Sequence, residues 1–470
     1  MNFRKQLIST AFFSIPWTLN LKKNPKIKET HFKSYTPLFL LASLSVLSIF
    51  LFCCFSPKNN DVHRQTPKPT ILLVPTCRSR VSLYVYDLPE EFNVGLLKDC
   101  RHLNVYTDMC PHVANSGLGQ PLQDMDDGST TGSWFATNQF MAEMLFHARA
   151  LNHPCRTRDP ARANLFYVPF YGGLHMSSKV REPNHALRDD LAVRLVDYLQ
   201  SQTWWHRNHG RDHFITLGRT AWDFRRGEGG PDFGANSLIN LPTVQNMSVL
   251  TVERQPWQGH NQYGIPYPSY FHPMTSLAVL TWQEKVGHSH RPHLFSFIGG
   301  PRKGVEKAAA IRDELINQCS QSRKCKLLKC DNEGRNDCHD PKRVLDIMVE
   351  SEFCLQAPGD SFTRRSTFDA VLAGCVPVFF SPHTAYTQYK WYFPEEYGEY
   401  SVFIDVEKGN VSVEVELMKI GKERVEEMRK RVIDLIPRVS YLHSNASDVG
   451  FEDAVDVALE GLSNATALLS

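Results

Sequence analysis

Residues 353–380, FCLQAPGDSFTRRSTFDAVLAGCVPVFF, constrain local structure more tightly than any other run of this 470-residue chain. An apolar stretch ends at Ala357-Pro358-Gly359, and Asp360, Ser361 and Thr363 then offer side-chain oxygens to cap a helix predicted to begin near Arg364. Gly374 stops that helix, and CVPVFF at 375–380 has the composition of a strand buried on both faces of a parallel sheet. A strand, loop, helix and strand in this order leave backbone N–H groups and the positive end of a helix dipole at the loop, where Arg364 and Arg365 add permanent charge. The unit is predicted to hold an anion, and phosphate fits it. The competing arrangement pairs Arg365 with Asp369, four residues on, as a surface ion pair and leaves Arg364 solvated.

The rest of the chain repeats this grammar. Residues 81–87 alternate like a strand that Pro89 ends. Strand patterns follow at 164–170, 213–217 and 248–252, separated by helical patterns at 138–151 and 185–200. A second round runs from a strand at 294–300 through a helix at 305–318, a strand at 326–328, a helix at 343–349, the opening unit, a strand at 401–404 and one long amphipathic helix at 413–435. Such alternation implies an α/β protein with parallel sheets. The length exceeds what a single core supports, so two doubly wound domains are predicted, 81–280 and 281–440, with a tail at 441–470. They would face one another across a cleft at the carboxyl ends of their strands.

A net charge of +2, with no basic stripe, excludes nucleic acid as the main partner. Residues 37–55, PLFLLASLSVLSIFLFCCF, are uncharged and long enough to cross a bilayer as a signal anchor. Arg4, Lys5, Lys22, Lys23, Lys26, Lys28 and Lys33 precede this run against Glu29, which keeps tail 1–36 cytosolic and puts a stem at 56–80 and the rest of the chain in the lumen. A cleaved signal peptide is the alternative, but the apolar run starts late and has no small-residue cleavage site. Ten of the 12 cysteines lie beyond the span, as do glycosylation sequons at Asn246, Asn410, Asn445 and Asn464. Cys319, Cys325, Cys330 and Cys338, with His339, lack Cys-x-x-Cys spacing and are expected in disulfides rather than around zinc. Cys354 and Cys375 are expected as buried thiols.

Dinucleotide, P-loop, serine-hydrolase and zinc-protease motifs are all absent. The turn 299–304, GGPRKG, closes a strand and opens a helix; with Arg302 and Lys303 it offers a second phosphate contact, or serves only as a helix-entry turn. Asp124, Asp126 and Asp127 have an acid-x-acid spacing, but among Gln, Gly, Ser and Thr they read as a solvated loop rather than a metal site.

Taken together, YVYDLP from Tyr84, NLFYVPFY from Asn164, GRDHF from Gly210, FIGGPRKG from Phe297 and the 357–380 unit resemble the exostosin family of glycosyltransferases, and within it the plant branch of xyloglucan galactosyltransferases. That resemblance covers about 81–437. It implies a Golgi type II membrane enzyme of GT-B architecture with two Rossmann-like domains. It also implies a UDP-sugar donor, inversion at the anomeric carbon, xyloglucan as acceptor, and no bound metal for the transfer. Galactose as the sugar comes from the resemblance alone; a galacturonic acid donor on the same polymer and a non-catalytic Golgi scaffold that binds glycan or other xyloglucan-synthesising enzymes are the alternatives.

An inverting transfer needs a base for the acceptor hydroxyl and fixed positive charge for the UDP leaving group. Arg302, Lys303, Arg364 and Arg365 are assigned to the diphosphate, with Gly359, Asp360, Ser361 and Thr363 completing the loop. Asp369 is assigned to a ribose hydroxyl or to orienting Arg365. For the base, Asp223 comes first, with an ion pair to Arg225 or Arg226 as its structural alternative, followed by His175 and Glu253. Trp204, Trp205, Trp222, Trp257, Tyr263, Tyr267 and Tyr270 are the aromatics able to stack on sugar rings, a role that competes with plain core packing.

Overall fold

The computed structural model describes residues 77, 81–125, 128, 130–227, 232–302, 306–330, 337–406, 411–446 and 449–467. The expected span at 37–55, the tail before it, all of the stem but Cys77, and Asp126, Asp127, Lys303 and Asn410 lie outside them. Among the described residues no helix is long and apolar enough to cross a membrane.

The first sheet has six strands: β1 (Leu83–Val85), β2 (Arg156–Thr157), β3 (Leu165–Val168), β4 (His213–Thr220), β5 (Ser248–Glu253) and β6 (Gln262–Gly264). Their order is β2-β1-β3-β4-β5-β6, and every neighbouring pair is parallel. Side chains that alternate along a strand separate into two cores. Phe166, Val168, Ile215 and Leu217 face Leu191, Leu195 and Leu199 of the helix His185–Ser201. Leu165, Tyr167, Phe214 and Leu250 instead share a core with Met144, Leu145 and Phe146 of the helix Ala142–Leu151. That second core runs without a break into the other domain, through Phe295, Phe353 and Phe368.

The second sheet holds β7 (His293–Gly299), β8 (Cys325–Lys329), β9 (Ser351–Gln356), β10 (Val376–Phe379) and β11 (Val402–Phe403), in the order β11-β10-β9-β7-β8, again all parallel. The helices Glu306–Gln321, Pro341–Val349 and Ser366–Leu372 connect its strands. Asp340 caps the second of these through Lys342 N–H, with Pro341 at the first helical position, where its missing N–H costs nothing. The architecture is therefore α/β, two Rossmann-like domains with parallel sheets, as expected.

Several local expectations are corrected. The opening unit's helix starts at Ser366, preceded by Arg365 with no side-chain cap, because Thr363 spends its hydroxyl elsewhere. The long helix at 413–435 is two helices, Val413–Met418 and Lys422–Asp434, parted near Gly421. Cys354 and Cys375 are not thiols; they form a disulfide between the β9 and β10 segments, alongside Cys77–Cys155, Cys100–Cys110, Cys319–Cys325 and Cys330–Cys338. The segment expected as a tail contains the helix Ala454–Ala467, which returns to the first domain. There Arg149 Nε donates to Asp453 Oδ2 at 3.1 Å, and His153 Nε2 lies 2.8 Å from Asp456 Oδ1.

Candidate active site

The loop from β9 to the helix Ser366–Leu372 is folded by its own backbone and by two arginines. Pro358 cannot donate to a sheet, so β9 ends before it. The loop then doubles back, Gly359 N–H donating to the Ser361 carbonyl at 2.9 Å. A β-carbon on Gly359 would sit 1.3 Å from Arg364 Nη2, so only glycine lets the guanidinium lie there. Arg364 donates from Nη1 to the Thr363 carbonyl at 3.2 Å. Its Nε and Nη2 are buried with no partner among the described residues. Burial, ahead of any neighbouring charge, lowers its pKa. Donors of a cation left unsatisfied in the interior are expensive, and an anion supplied from outside removes that cost.

Arg312, absent from the sequence-based assignment, supports the same loop from below. It is buried, donating from Nε to the Gly300 carbonyl at 2.8 Å and from Nη1 towards the Pro358 carbonyl at 3.4 Å. Burial, and after it Arg364 and Arg302, pushes its pKa down to about 10. Arg302 is half-exposed, its Nε 3.8 Å from Asp360 Oδ1. Three guanidinium groups thus repel one another around the carboxyl ends of β7 and β9. The signal was present in sequence: Arg312 occupies the stripe that continues through the buried Leu315 and Cys319.

Arg365 points another way. Its guanidinium lies 3.5 Å from the centre of the Tyr270 ring, donates to the Thr137 carbonyl at 2.9 Å and pairs with Asp369 at 3.4 Å, which leaves Nη2 without a partner. Asp369 is buried and also accepts from Ser269 Oγ at 2.6 Å. Burial raises its pKa against the pull of Arg365. This pair is internal, not on the surface, and it ties the loop to the first domain.

The first domain meets the loop at the end of β5. Glu253 is fully buried; its Oε2 accepts from Thr363 N–H at 2.8 Å and from Thr363 Oγ1 at 2.5 Å, while Oε1 accepts from Trp222 Nε1 at 2.9 Å. Tyr267 OH adds a contact to Thr363 Oγ1 at 3.0 Å. Asp223, on the turn after β4, is half-buried: its Oδ2 accepts from Arg219 Nε at 3.0 Å and Thr220 Oγ1 at 3.1 Å. The partner is therefore Arg219, not Arg225 or Arg226. The negative charges of Glu253 and Asp223 both act on the Tyr267 hydroxyl, whose pKa burial already raises. The structure thus brings Glu253 onto the arginine loop, while Asp223 reaches it only through its field on Tyr267. His175 lies apart, in a surface cavity with Glu90, Glu91, Lys98 and Arg194, and burial pushes its imidazole down to about 4.

Among the aromatics, Trp205, Tyr267 and Tyr270 are buried. Trp204 stacks on Phe166 and Tyr263 on Trp391. Trp222 and Trp257 remain exposed, at 38% and 63%. Among the described residues no group of three or more metal-binding side chains converges.

Two Rossmann-like domains with parallel sheets thus meet where Glu253, at the end of β5, holds Thr363 beside the buried, unsatisfied guanidinium donors of Arg364. The chain belongs to the exostosin family: the exostosin GT47 domain matches residues 77–416. It is 58% identical to the probable xyloglucan galactosyltransferase GT17 of Arabidopsis thaliana over 446 residues, 94% of each chain. It is also 43% identical to the xyloglucan galactosyltransferase MUR3 of the same plant, over 81% of this chain and 61% of that one. Identity to the Arabidopsis xyloglucan galactosyltransferase XLT2 is 41%, over 81% and 74%.

Proposed function

We propose that this protein is an inverting glycosyltransferase of GT-B architecture that moves galactose from UDP-galactose to xylosyl side chains of xyloglucan. The observation that carries the donor half is Arg364, whose buried Nε and Nη2 have no partner among the described residues, a want that the oxygens of a diphosphate would meet. The sugar and the acceptor are supported by the names of its relatives from Arabidopsis. In the transfer, the acceptor hydroxyl attacks the anomeric carbon from the face opposite UDP; the new C–O bond forms as the bond to the diphosphate breaks. Arg364 and Arg302 take up the charge that develops on the departing phosphate, with Arg312 holding the loop beneath them. Asp223 is the base that receives the hydroxyl proton: it is half-buried, and its Oδ1 has no hydrogen bond among the described residues. Glu253 is sealed and saturated, which suits it to positioning Thr363 rather than to proton transfer.

The reading includes a single-pass type II Golgi protein with its catalytic body in the lumen, supported by the charge asymmetry around 37–55. It also includes transfer without a metal, since the guanidinium groups provide the counter-charge. The full-length protein, incubated with xyloglucan and either UDP-galactose or UDP-galacturonic acid, should add one hexose mass from the first donor only and do so in excess chelator. A hexuronic acid product would replace the donor. Metal-reversible loss of all activity would overturn the metal-free mechanism.

A further inference from the structure

The two exposed tryptophans bracket the contact between the domains. Trp222 donates its indole N–H to Glu253, the residue that clamps Thr363. Trp257 meets Phe362, the residue before Thr363, with ring centres 5.7 Å apart at 77°, and His383 at 5.3 Å and 71°. Phe362 and His383 in turn meet at 5.1 Å. The first domain's loop after β5 and the second domain's loops after β9 and β10 therefore build one aromatic cluster at the domain boundary.

That cluster is held rigidly. Gln255, itself buried, accepts the backbone N–H groups of Trp257 and Gln258, each at 2.7 Å. Arg254 bonds across the domain boundary, through its backbone N–H to Gln388 Oε1 at 2.8 Å and its Nη1 to the Thr387 carbonyl at 3.1 Å. An indole fixed in place yet 63% exposed forgoes the burial that normally repays ordering a large ring. Something else must cover it. Other aromatics near the cleft are already consumed by the core or by stacked partners.

We infer that Trp222 and Trp257, with Phe362 and His383 behind Trp257, form the platform on which the glucan backbone of the acceptor lies. The inference rests on the galactosyltransferase reading above. A β-1,4-linked glucan suits such a platform because its equatorial hydroxyls leave two flat C–H faces per ring, matched to an indole face; a chain resting on Trp222 lies beside the proposed base, Asp223, its neighbour in sequence. Specificity for the polymer then resides in neutral stacking surface, while the arginine loop serves the diphosphate of the donor.

The test uses the full-length protein and three probes: a xyloglucan oligosaccharide, cellohexaose and UDP. Trp257→Ala should weaken calorimetric binding of both glycans by about tenfold and raise the acceptor KM similarly, as loss of a central aromatic contact does. UDP affinity and donor KM should stay at the parent values. Trp257→Tyr should restore most of the glycan affinity, which a merely structural role for the indole would not predict. Unchanged glycan affinity and acceptor KM in Trp257→Ala, or parallel loss of UDP binding, would overturn the platform. Wild-type protein that binds cellohexaose through Trp257 but transfers no galactose would refute the galactosyltransferase reading and leave the platform standing. Galactose transfer with an acceptor KM insensitive to Trp257 would do the reverse.

Discussion

The two sides of the cleft are built on opposite plans. In the second domain the site is concentrated: Gly359, Thr363 and Arg364 share one loop, and Arg302 and Arg312, from the turn and helix after β7, close on it. On the first domain's side, Asp223 follows β4, Glu253 ends β5, and Trp257 sits on the loop before β6. The ligands explain the difference. A diphosphate is compact and charged, so a few backbone groups and guanidinium donors at one strand end can hold it. A neutral glycan chain offers no such handle and must be met by surface spread over several strand ends. Concentrated recognition is readable from local sequence; distributed recognition exists only once the sheet has brought distant residues together.

The sharpest way to break this comparison is at Arg364. Replacing it with Ala removes a charge-assisted contact worth about 1.5 to 3 kcal/mol, so UDP affinity should fall roughly tenfold or more. Lys should rescue only part of this, since a point charge cannot reproduce the planar two-pronged contact. Gly359→Ala should imitate Arg364→Ala, because the new methyl would occupy the position of Nη2. Calorimetric UDP binding beside a melting curve tests all three. If affinity survives in both Arg364→Ala and Gly359→Ala, the loop is not where the diphosphate binds.

A smaller effect is expected at Glu253, whose carboxylate clamps both the backbone N–H and the hydroxyl of Thr363 in the donor loop. In Glu253→Gln one terminal atom becomes a donor facing the donors of Thr363 or Trp222, a mismatch costing about 1 to 3 kcal/mol. Melting temperature should fall and donor KM should rise while the acceptor platform is intact. A donor KM equal to the parent's would show that the clamp does not transmit to the arginines. Arg365→Ala sharpens the contrast from the other direction: with its guanidinium tied to Tyr270, Thr137 and Asp369, its loss should lower thermal stability more than UDP affinity.

What could be read from sequence follows the same division. Strand and helix alternation, and with it two α/β domains, was legible because apolar period and glycine or proline punctuation are local. Arg364 was legible for the same reason. The helix start was misread because Thr363, a good cap in isolation, is claimed by Glu253 from 110 residues away. Arg312 was missed although it continues the stripe of Leu315 and Cys319, because a basic residue on a helix is ordinarily solvated and that expectation outweighed the stripe. The Ala454–Ala467 helix is tied to Arg149 across 304 residues, a distance at which no pattern speaks. Cys354 lies in a strand and Cys375 directly before one, both recognisable in sequence, but that those strands are neighbours is a fact of sheet order.

The smallest expected effect is on stability with pH, and it too should divide the domains. In the first domain burial pushes His147 and His175 down to about 4 and lowers His213, and in the segment leading out of it His272 also falls to about 4. A histidine whose folded pKa is depressed contributes stability that is complete above its ordinary value near 6.5 and is lost as pH falls towards the folded value, because the unfolded chain then binds the proton more readily. Glu143 opposes them: it accepts three backbone N–H groups from Gly173, Leu174 and Gly218, yet burial raises it to about 7, so its contribution grows as pH falls from that value. Asp453, paired with Arg149, opposes them too, raised by burial to about 6; three imidazoles displaced to about 4, with His213 lowered besides, outweigh these two carboxyls displaced in the other direction. In the second domain His383 alone is lowered in this way among the described residues, and it is only half-buried. Acidification from pH 7 to 4 should therefore lower the melting temperature, and amide hydrogen exchange should rise first in peptides covering β3 to β5, with β9 and β10 protected longer. Simultaneous loss of protection in both sheets, or loss beginning at β9, would mean that the continuous core through Phe295 and Phe353 couples the domains too tightly for their titrations to be felt separately.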